Sequence, residues 1–136
     1  MLIIQNDTMS LQKKGRLKWY AFAATFVVSG LPMWLTDYAG YTKYGGLFML
    51  YGGIVCAAGA GSLVYYTKHQ TYKICLFMAA AHQLAFIGKV VIDCFEDPSN
   101  HNLFPFEMIM LFGIDLIFSF IVAAIVRLTL KVTGNK

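Results

Sequence analysis

Four ionisable residues interrupt the apolar stretches in the second half of this sequence: His82, Lys89, Glu107 and Asp115. Charge is costly in a lipid environment, so each of these side chains needs a partner, water or a functional role. Asp115 is the most demanding, because a carboxyl flanked by isoleucine and leucine must be protonated, paired or in contact with water. The residue types therefore suit two kinds of chemistry: a structural pair, or the binding of a proton or cation.

Helical spacing predicts which of these groups share a face. At about 100° per residue, His82, Lys89 and Asp93 fall on one stripe of the third apolar stretch. Asp115 and Ser119 lie one turn apart on the fourth stretch, and Glu107 is offset by about 80°. The predicted intramembrane polar cluster is His82, Lys89, Asp93, Glu107, Asp115 and Ser119.

The predicted depth of each residue in the membrane limits which side chains can pair with Asp115. At about 1.5 Å per residue, Asp115 lies about 15 Å in from Pro105, near the middle of a core about 30 Å thick. His82 and Lys89 lie on either side of that depth, so we expect Asp115 to pair with His82 or with Lys89. Simpler accounts stay open. Lys89 can pair with Asp93 four residues on, Glu107 suits the first turn of its helix, and His82 can be a hydrogen-bonded packing residue.

The composition of the chain indicates that these apolar stretches lie in lipid and not in water. The chain has 136 residues, of which 58% are hydrophobic and 13% charged, whereas soluble domains average about 45–50% and about 25%. We predict an all-α, polytopic integral membrane protein in a single unit, residues 1–136. Its four transmembrane helices form two antiparallel hairpins after a tail at 1–18. The predicted spans are 19–35, 45–66, 72–95 and 105–130.

The boundaries of these spans follow from local signals. The first span is marginal in length, with Trp19, Tyr20 and Trp34 as interfacial anchors and Pro32 expected to kink or end the helix. Residues 36–44 are predicted to form a turn, and residues 67–71 a short loop. The run Asp-Pro-Ser-Asn at 97–100 predicts a turn before the fourth span.

The net charge of +4 does not indicate nucleic-acid binding, because the cations flank the apolar runs. Basic residues cluster at 13–18, at 68–73 and at 127–136, whereas the intervening loops carry Asp37, Glu96 and Asp97. This alternation predicts that both termini are cytoplasmic.

Small residues form two adjacent rows on the second span, at four-residue spacing: Gly52, Gly53, Cys56, Ala57, Ala60 and Gly61. Such rows let another helix approach closely in lipid. They predict either packing within the chain or a face for a second copy or another membrane subunit.

No metal site, cofactor or catalytic group is predicted. Cys56, Cys75 and Cys94 lie at different depths without a CxxC spacing, and are expected to be small buried hydrophobes. Only His82 among the histidines lies within a span, which argues against a bis-histidine haem. Four residues of the third loop and its flank could hold a divalent cation only weakly, since their spacing is not that of an EF-hand: Glu96, Asp97, His101 and Glu107.

Two functions remain. The favoured one is a non-enzymatic structural or accessory subunit that docks onto a larger membrane complex or oligomer through the second span. The alternative is a homo-oligomeric transporter or channel, coupled to protons or ions, that uses Asp115 with Lys89 and His82. A single four-span chain has little room for a solvated path, so the alternative requires self-association.

Overall fold

The computed structural model describes residues 2–67, 71–101 and 103–134, and the side chains from Gly15 onward. The fold is all-α, as predicted, and the described residues contain no strand. The helices are α1 (Leu2–Trp34), α2 (Tyr38–Thr67), α3 (Thr71–Glu96) and α4 (Phe104–Val132). Lys68 and His69, which belong to the predicted loop at 67–71, lie outside the described residues.

Three of the helices, α2, α3 and α4, are long and apolar enough to cross a membrane. They correspond to the predicted spans 45–66, 72–95 and 105–130. Nearly all of the predicted span 19–35 lies in the second half of α1, which ends at Trp34 and whose first half is more polar. Its assignment as a fourth span stays a prediction. The fold thus supports a helical membrane bundle with three candidate spans in the described residues.

Two boundaries differ from the sequence-based ones. Helix α1 already begins at Leu2, so it continues through the segment predicted as a tail. The predicted turn at 36–44 was too long, because α2 begins at Tyr38. Asp37 explains the early start, since its side chain accepts a hydrogen bond of 2.9 Å from the Gly40 backbone N–H and satisfies a donor in the first turn. Pro32 is accommodated inside the last turn of α1.

Consecutive helices are antiparallel, but the two largest interfaces join parallel helices, α2 with α4 and α1 with α3. In the first, Gly53 faces Phe118 and Gly61 faces Val122. In the second, the Trp34 indole N–H donates to the Ala85 carbonyl at 2.8 Å. Helices α2 and α3 also touch, whereas no Cα atoms of α1 and α4 lie within 8 Å of each other among the described residues. Helix α3 therefore contacts all three other helices.

The small-residue rows of α2 are used inside the chain. All six residues are buried. Gly53 and Gly61 face α4, while Gly52 and Cys56 face α3. Packing within the chain accounts for this face, so it is not a free surface for a second copy.

The apolar core has two layers. One contains Leu63, Cys75 and Met78, and the other contains Met33, Tyr41 and Phe86. His82 lies on α3 between Met78 and Phe86 and is fully buried. The apolar layers therefore enclose a polar level in the middle of the bundle.

Candidate functional site

The central polar level is built on a contact between α3 and α4. Nδ1 of His82 lies 2.9 Å and 3.0 Å from the two carboxyl oxygens of Asp115. Both side chains have an exposed fraction of 0%. A hydrogen bond at this distance requires a proton on Nδ1 or on the carboxyl, so the pair holds at least one proton in the apolar interior.

Gly52 makes room for this pair. The ring of His82 lies so close to the Gly52 backbone that a Cβ at position 52 would overlap its Cε1, Nε2 and Nδ1 atoms. The ring edge that carries both nitrogens therefore faces α2. Cys56, one turn further along α2, donates its thiol hydrogen to the Met78 carbonyl at 3.4 Å.

Cys56, His82 and Asp115 together form a trio of ligand-type side chains from three helices. One donor atom from each lies within 4.8 Å of the donor atoms of the other two. All three residues are fully buried. We call Cys56, His82 and Asp115, with the neighbouring Gln83 and Ser119, the central cluster.

Hydrogen bonding in the central cluster is incomplete. Four buried atoms have no hydrogen-bond partner among the described residues: Nε2 of His82, Oε1 and Nε2 of Gln83, and Oγ of Ser119. Each buried polar group without a partner costs about 1–3 kcal/mol. The cluster therefore offers donor and acceptor capacity that the described side chains do not use.

A second group of polar residues, which we call the end cluster, lies where α3 ends and α4 begins. Lys89 donates to Asp93 at 2.6 Å and to the Thr36 carbonyl. His101 bridges two carboxylates, with Nε2 at 2.7 Å from Asp93 and Nδ1 at 2.9 Å from Glu107. A neutral imidazole has one N–H and can donate to only one of them, so both contacts are hydrogen bonds only with a further proton on the ring or on one of the two carboxyl groups.

The loop after α3 places His101 in that bridge. His101 has a positive φ of 61°, and its backbone N–H donates to the Tyr38 hydroxyl at 3.3 Å. Its ring packs against Tyr38 and Phe86. The preceding turn is closed by Asp97, and the Ser99 backbone N–H and hydroxyl hold the pKa of that carboxyl below its usual value. The predicted turn at 97–100 is therefore present.

The structure assigns each predicted polar residue a place. Asp115 contacts His82, which was one of its two expected partners, and not Lys89. Lys89 instead takes the simpler alternative, the pair with Asp93. Glu107 binds His101. Ser119 is buried without a partner among the described residues.

Sequence reasoning missed the role of His101. It grouped His101 with Glu96, Asp97 and Glu107 as a weak cation site. Of these three acids only Glu107 contacts His101, whereas Glu96 and Asp97 are exposed and take no part in the bridge. No spacing signal could have found it, because the loop backbone and not helical periodicity brings His101 to Asp93. The proximity of Cys56 to Asp115 was missed for a similar reason, since it depends on how α2 packs against α3 and α4.

No protein-family model, curated protein or solved structure matches this chain. Its function must therefore be argued from these two clusters. The thiol, imidazole and carboxylate of the central cluster resemble a nucleophilic triad in type but not in geometry. The thiol donates to a backbone carbonyl and not to the imidazole, and each of the three side chains is shielded from solvent.

Proposed function

We propose that this chain is a four-span membrane protein that acts as a structural or accessory subunit of a larger membrane assembly. The observation that carries the proposal is that the ionisable side chains inside the bundle are shielded from solvent. Lys89 and Asp93 are each 1% exposed, and His82 and Asp115 are 0% exposed. These side chains make contacts that join helices, which is the use expected of a subunit whose task is to hold a fixed shape.

The end cluster supports the same role. Through Thr36 and Tyr38 it holds the connection between α1 and α2, and through His101 and Glu107 it holds the start of α4. Breaking such a buried pair by removing one partner costs about 3–5 kcal/mol. One end of the bundle is thereby fixed in a single arrangement.

A spanning role for α1 is supported by its position beside α3. Trp34 lies at Ala85 and Gly88, and Thr25 lies level with Met78, so the second half of α1 runs parallel to a candidate span. With four spans, the distribution of basic residues places both termini in the cytoplasm.

The surface for other subunits is then the outer face of α4. The small residues of α2 are occupied within the chain, whereas α4 exposes a row of large apolar side chains: Ile109, Ile117, Ile121, Ile125 and Leu128. In a bilayer these residues face lipid or a neighbouring helix. We assign contacts with other copies or other chains to this row.

A measurement of native mass in mild detergent, with a photoreactive amino acid at Ile117, tests this proposal. We expect a particle larger than one chain and crosslinks from position 117. The matched control is the same amino acid at Ile54, on the exposed face of α2, which should crosslink to lipid only. A monodisperse monomer, or equal protein crosslinking from both positions, would exclude the assigned surface.

A proton- or ion-coupled transporter is the second candidate, favoured by the four unpartnered atoms around Asp115. Asp115 would bind the proton or cation, with His82 and Lys89 modulating it. Because the cluster is sealed within one chain, the path would have to open in an oligomer. The test is flux in liposomes. Asp115→Asn should abolish it, while Glu96→Gln, at an exposed acid, should leave it unchanged; equal flux in both variants would exclude transport through this cluster.

A further inference from the structure

We infer that Cys56, His82 and Asp115 form a binding site for a thiophilic divalent transition-metal ion, for which Zn²⁺ is the best chemical fit. The three donor atoms lie within 4.8 Å of one another. A thiolate, an imidazole and a carboxylate are the ligand types that Zn²⁺ uses in proteins. The site goes beyond the structural role proposed above and does not depend on it.

The geometry is close to what such an ion needs. Donor atoms in a tetrahedral zinc site are about 3.5 Å apart, given bonds of about 2.0–2.3 Å. The longest separation in the trio, at most 4.8 Å, would therefore shorten by about 1.3 Å or less, and the 2.9 Å separation between His82 Nδ1 and Asp115 would lengthen by about 0.6 Å. The glycine at position 52 lets the nitrogen-bearing edge of the His82 ring face α2, on which Cys56 follows one turn later.

The unpartnered atoms point independently to a ligand. Nε2 of His82 and the whole amide of Gln83 are buried without a hydrogen-bond partner among the described residues. Ligating histidines use one ring nitrogen for the metal and the other for a hydrogen bond, commonly to a carboxylate. With Asp115 as a ligand, the ion takes Nδ1 of His82, the nitrogen that already lies beside Asp115, and Nε2 keeps its capacity to hydrogen-bond a water molecule. Gln83 Oε1 or a water molecule is available as the fourth ligand.

Charge also favours a divalent ion at this depth. One thiolate and one carboxylate carry two negative charges, and the imidazole binds metal as the neutral ring. With a divalent ion the site is neutral overall, which removes most of the cost of holding charge in the apolar interior. A monovalent cation would leave a net negative charge, so the donor set discriminates in favour of divalent ions.

Cobalt binding to the purified full-length protein tests the site, because Co²⁺ bound to a thiolate gives a charge-transfer absorption that Zn²⁺ lacks. After treatment with chelator, we expect one Co²⁺ per chain with this absorption, and displacement by Zn²⁺. Cys56→Ser should abolish the charge-transfer band and weaken binding by at least 10-fold. Cys75→Ser is the matched control, since Cys75 is also a free, fully buried cysteine but lies outside the trio; it should bind as the wild type does.

Three results would overturn the inference: no stoichiometric uptake of Co²⁺ or Zn²⁺ by the folded wild-type protein, equal loss in Cys75→Ser, or an unchanged band in Cys56→Ser. Should Cys56→Ser fail to fold, X-ray absorption of the wild-type protein with Zn²⁺ decides the question without a variant. One sulfur with nitrogen and oxygen ligands supports the site. Oxygen ligands alone, or several sulfurs, exclude it.

Discussion

The imidazole of His82 lies against the backbone of Gly52, closer than any side chain at position 52 would permit. This contact joins α2 to α3 at the level where His82 also holds Asp115 of α4. Three helices are thus fixed to one another through one side chain. The stability of the bundle should therefore depend both on the contact of His82 with Gly52 and on its hydrogen bond with Asp115.

The first prediction concerns the glycine. Gly52→Ala introduces a Cβ that overlaps the His82 ring, and we expect a loss of about 1–3 kcal/mol in the free energy of unfolding, the usual cost of overpacking. The measurement is unfolding by a denaturing detergent in mixed micelles. Gly45→Ala, on the same helix but with no neighbouring atom within 4 Å, is the control and should be neutral or slightly stabilising. Equal effects at both positions would contradict the close contact.

The second prediction concerns the partner of Asp115. His82→Phe and Asp115→Leu should each cost about 3–5 kcal/mol, because each leaves a buried polar group without its partner, and the double variant should cost clearly less than their sum. Lys89 lies seven residues, or about 10 Å, beyond His82 on α3. The effects of Lys89→Met and Asp115→Leu should therefore add to within about 0.5 kcal/mol. A strongly non-additive effect of Lys89→Met and Asp115→Leu would show that Asp115 pairs with Lys89 and not with His82.

The third prediction concerns His101. His101→Asn suits the positive φ at this position, because asparagine tolerates the left-handed conformation, but its shorter side chain cannot bridge Asp93 and Glu107. We expect a loss of about 3 kcal/mol in the free energy of unfolding, measured as above. Glu96→Gln, at an exposed carboxylate of the same region, is the control and should cause no change. A stable His101→Asn variant would mean that the bridge does not contribute.

The fourth prediction concerns topology. Glycosylation acceptors placed at Asp37 and in the turn at 97–100 should both be modified. Both positions lie at the same end of the bundle, which the proposed orientation puts on the non-cytoplasmic side. Acceptors at the two termini should stay unmodified, because the four proposed spans would return the chain to the cytoplasmic side. Modification of the N-terminal acceptor but not the C-terminal one would show that α1 does not cross the membrane. Modification of both termini but neither turn would reverse the orientation.

Much of the fold could be predicted from the sequence. Apolar run lengths located α2, α3 and α4, and the Asp-Pro-Ser-Asn run located the turn at 97–100. These features are local, since they depend on residues near one another in the chain. The helical conformation of the predicted tail was not foreseen from the sequence; α1 continues through it from Leu2 because no proline interrupts the helix before Pro32. The predicted turn before α2 was too long because the capping role of Asp37 was not recognised.

The sequence alone also determined which polar residues share a face of a helix, since His82, Lys89 and Asp93 are all buried as their spacing predicts. It could not determine which facing residue would be the partner of Asp115, because His82 and Lys89 were both compatible with Asp115 in depth. That choice depends on how α3 and α4 are rotated about their axes and how closely they approach each other. Gly52 of α2 contributes to it, because its contact with the His82 ring helps to fix the rotation of α3. The bridge made by His101 and the meeting of Cys56 with His82 and Asp115 were decided by tertiary structure, because packing forces between helices have no counterpart in the spacing of residues along one helix.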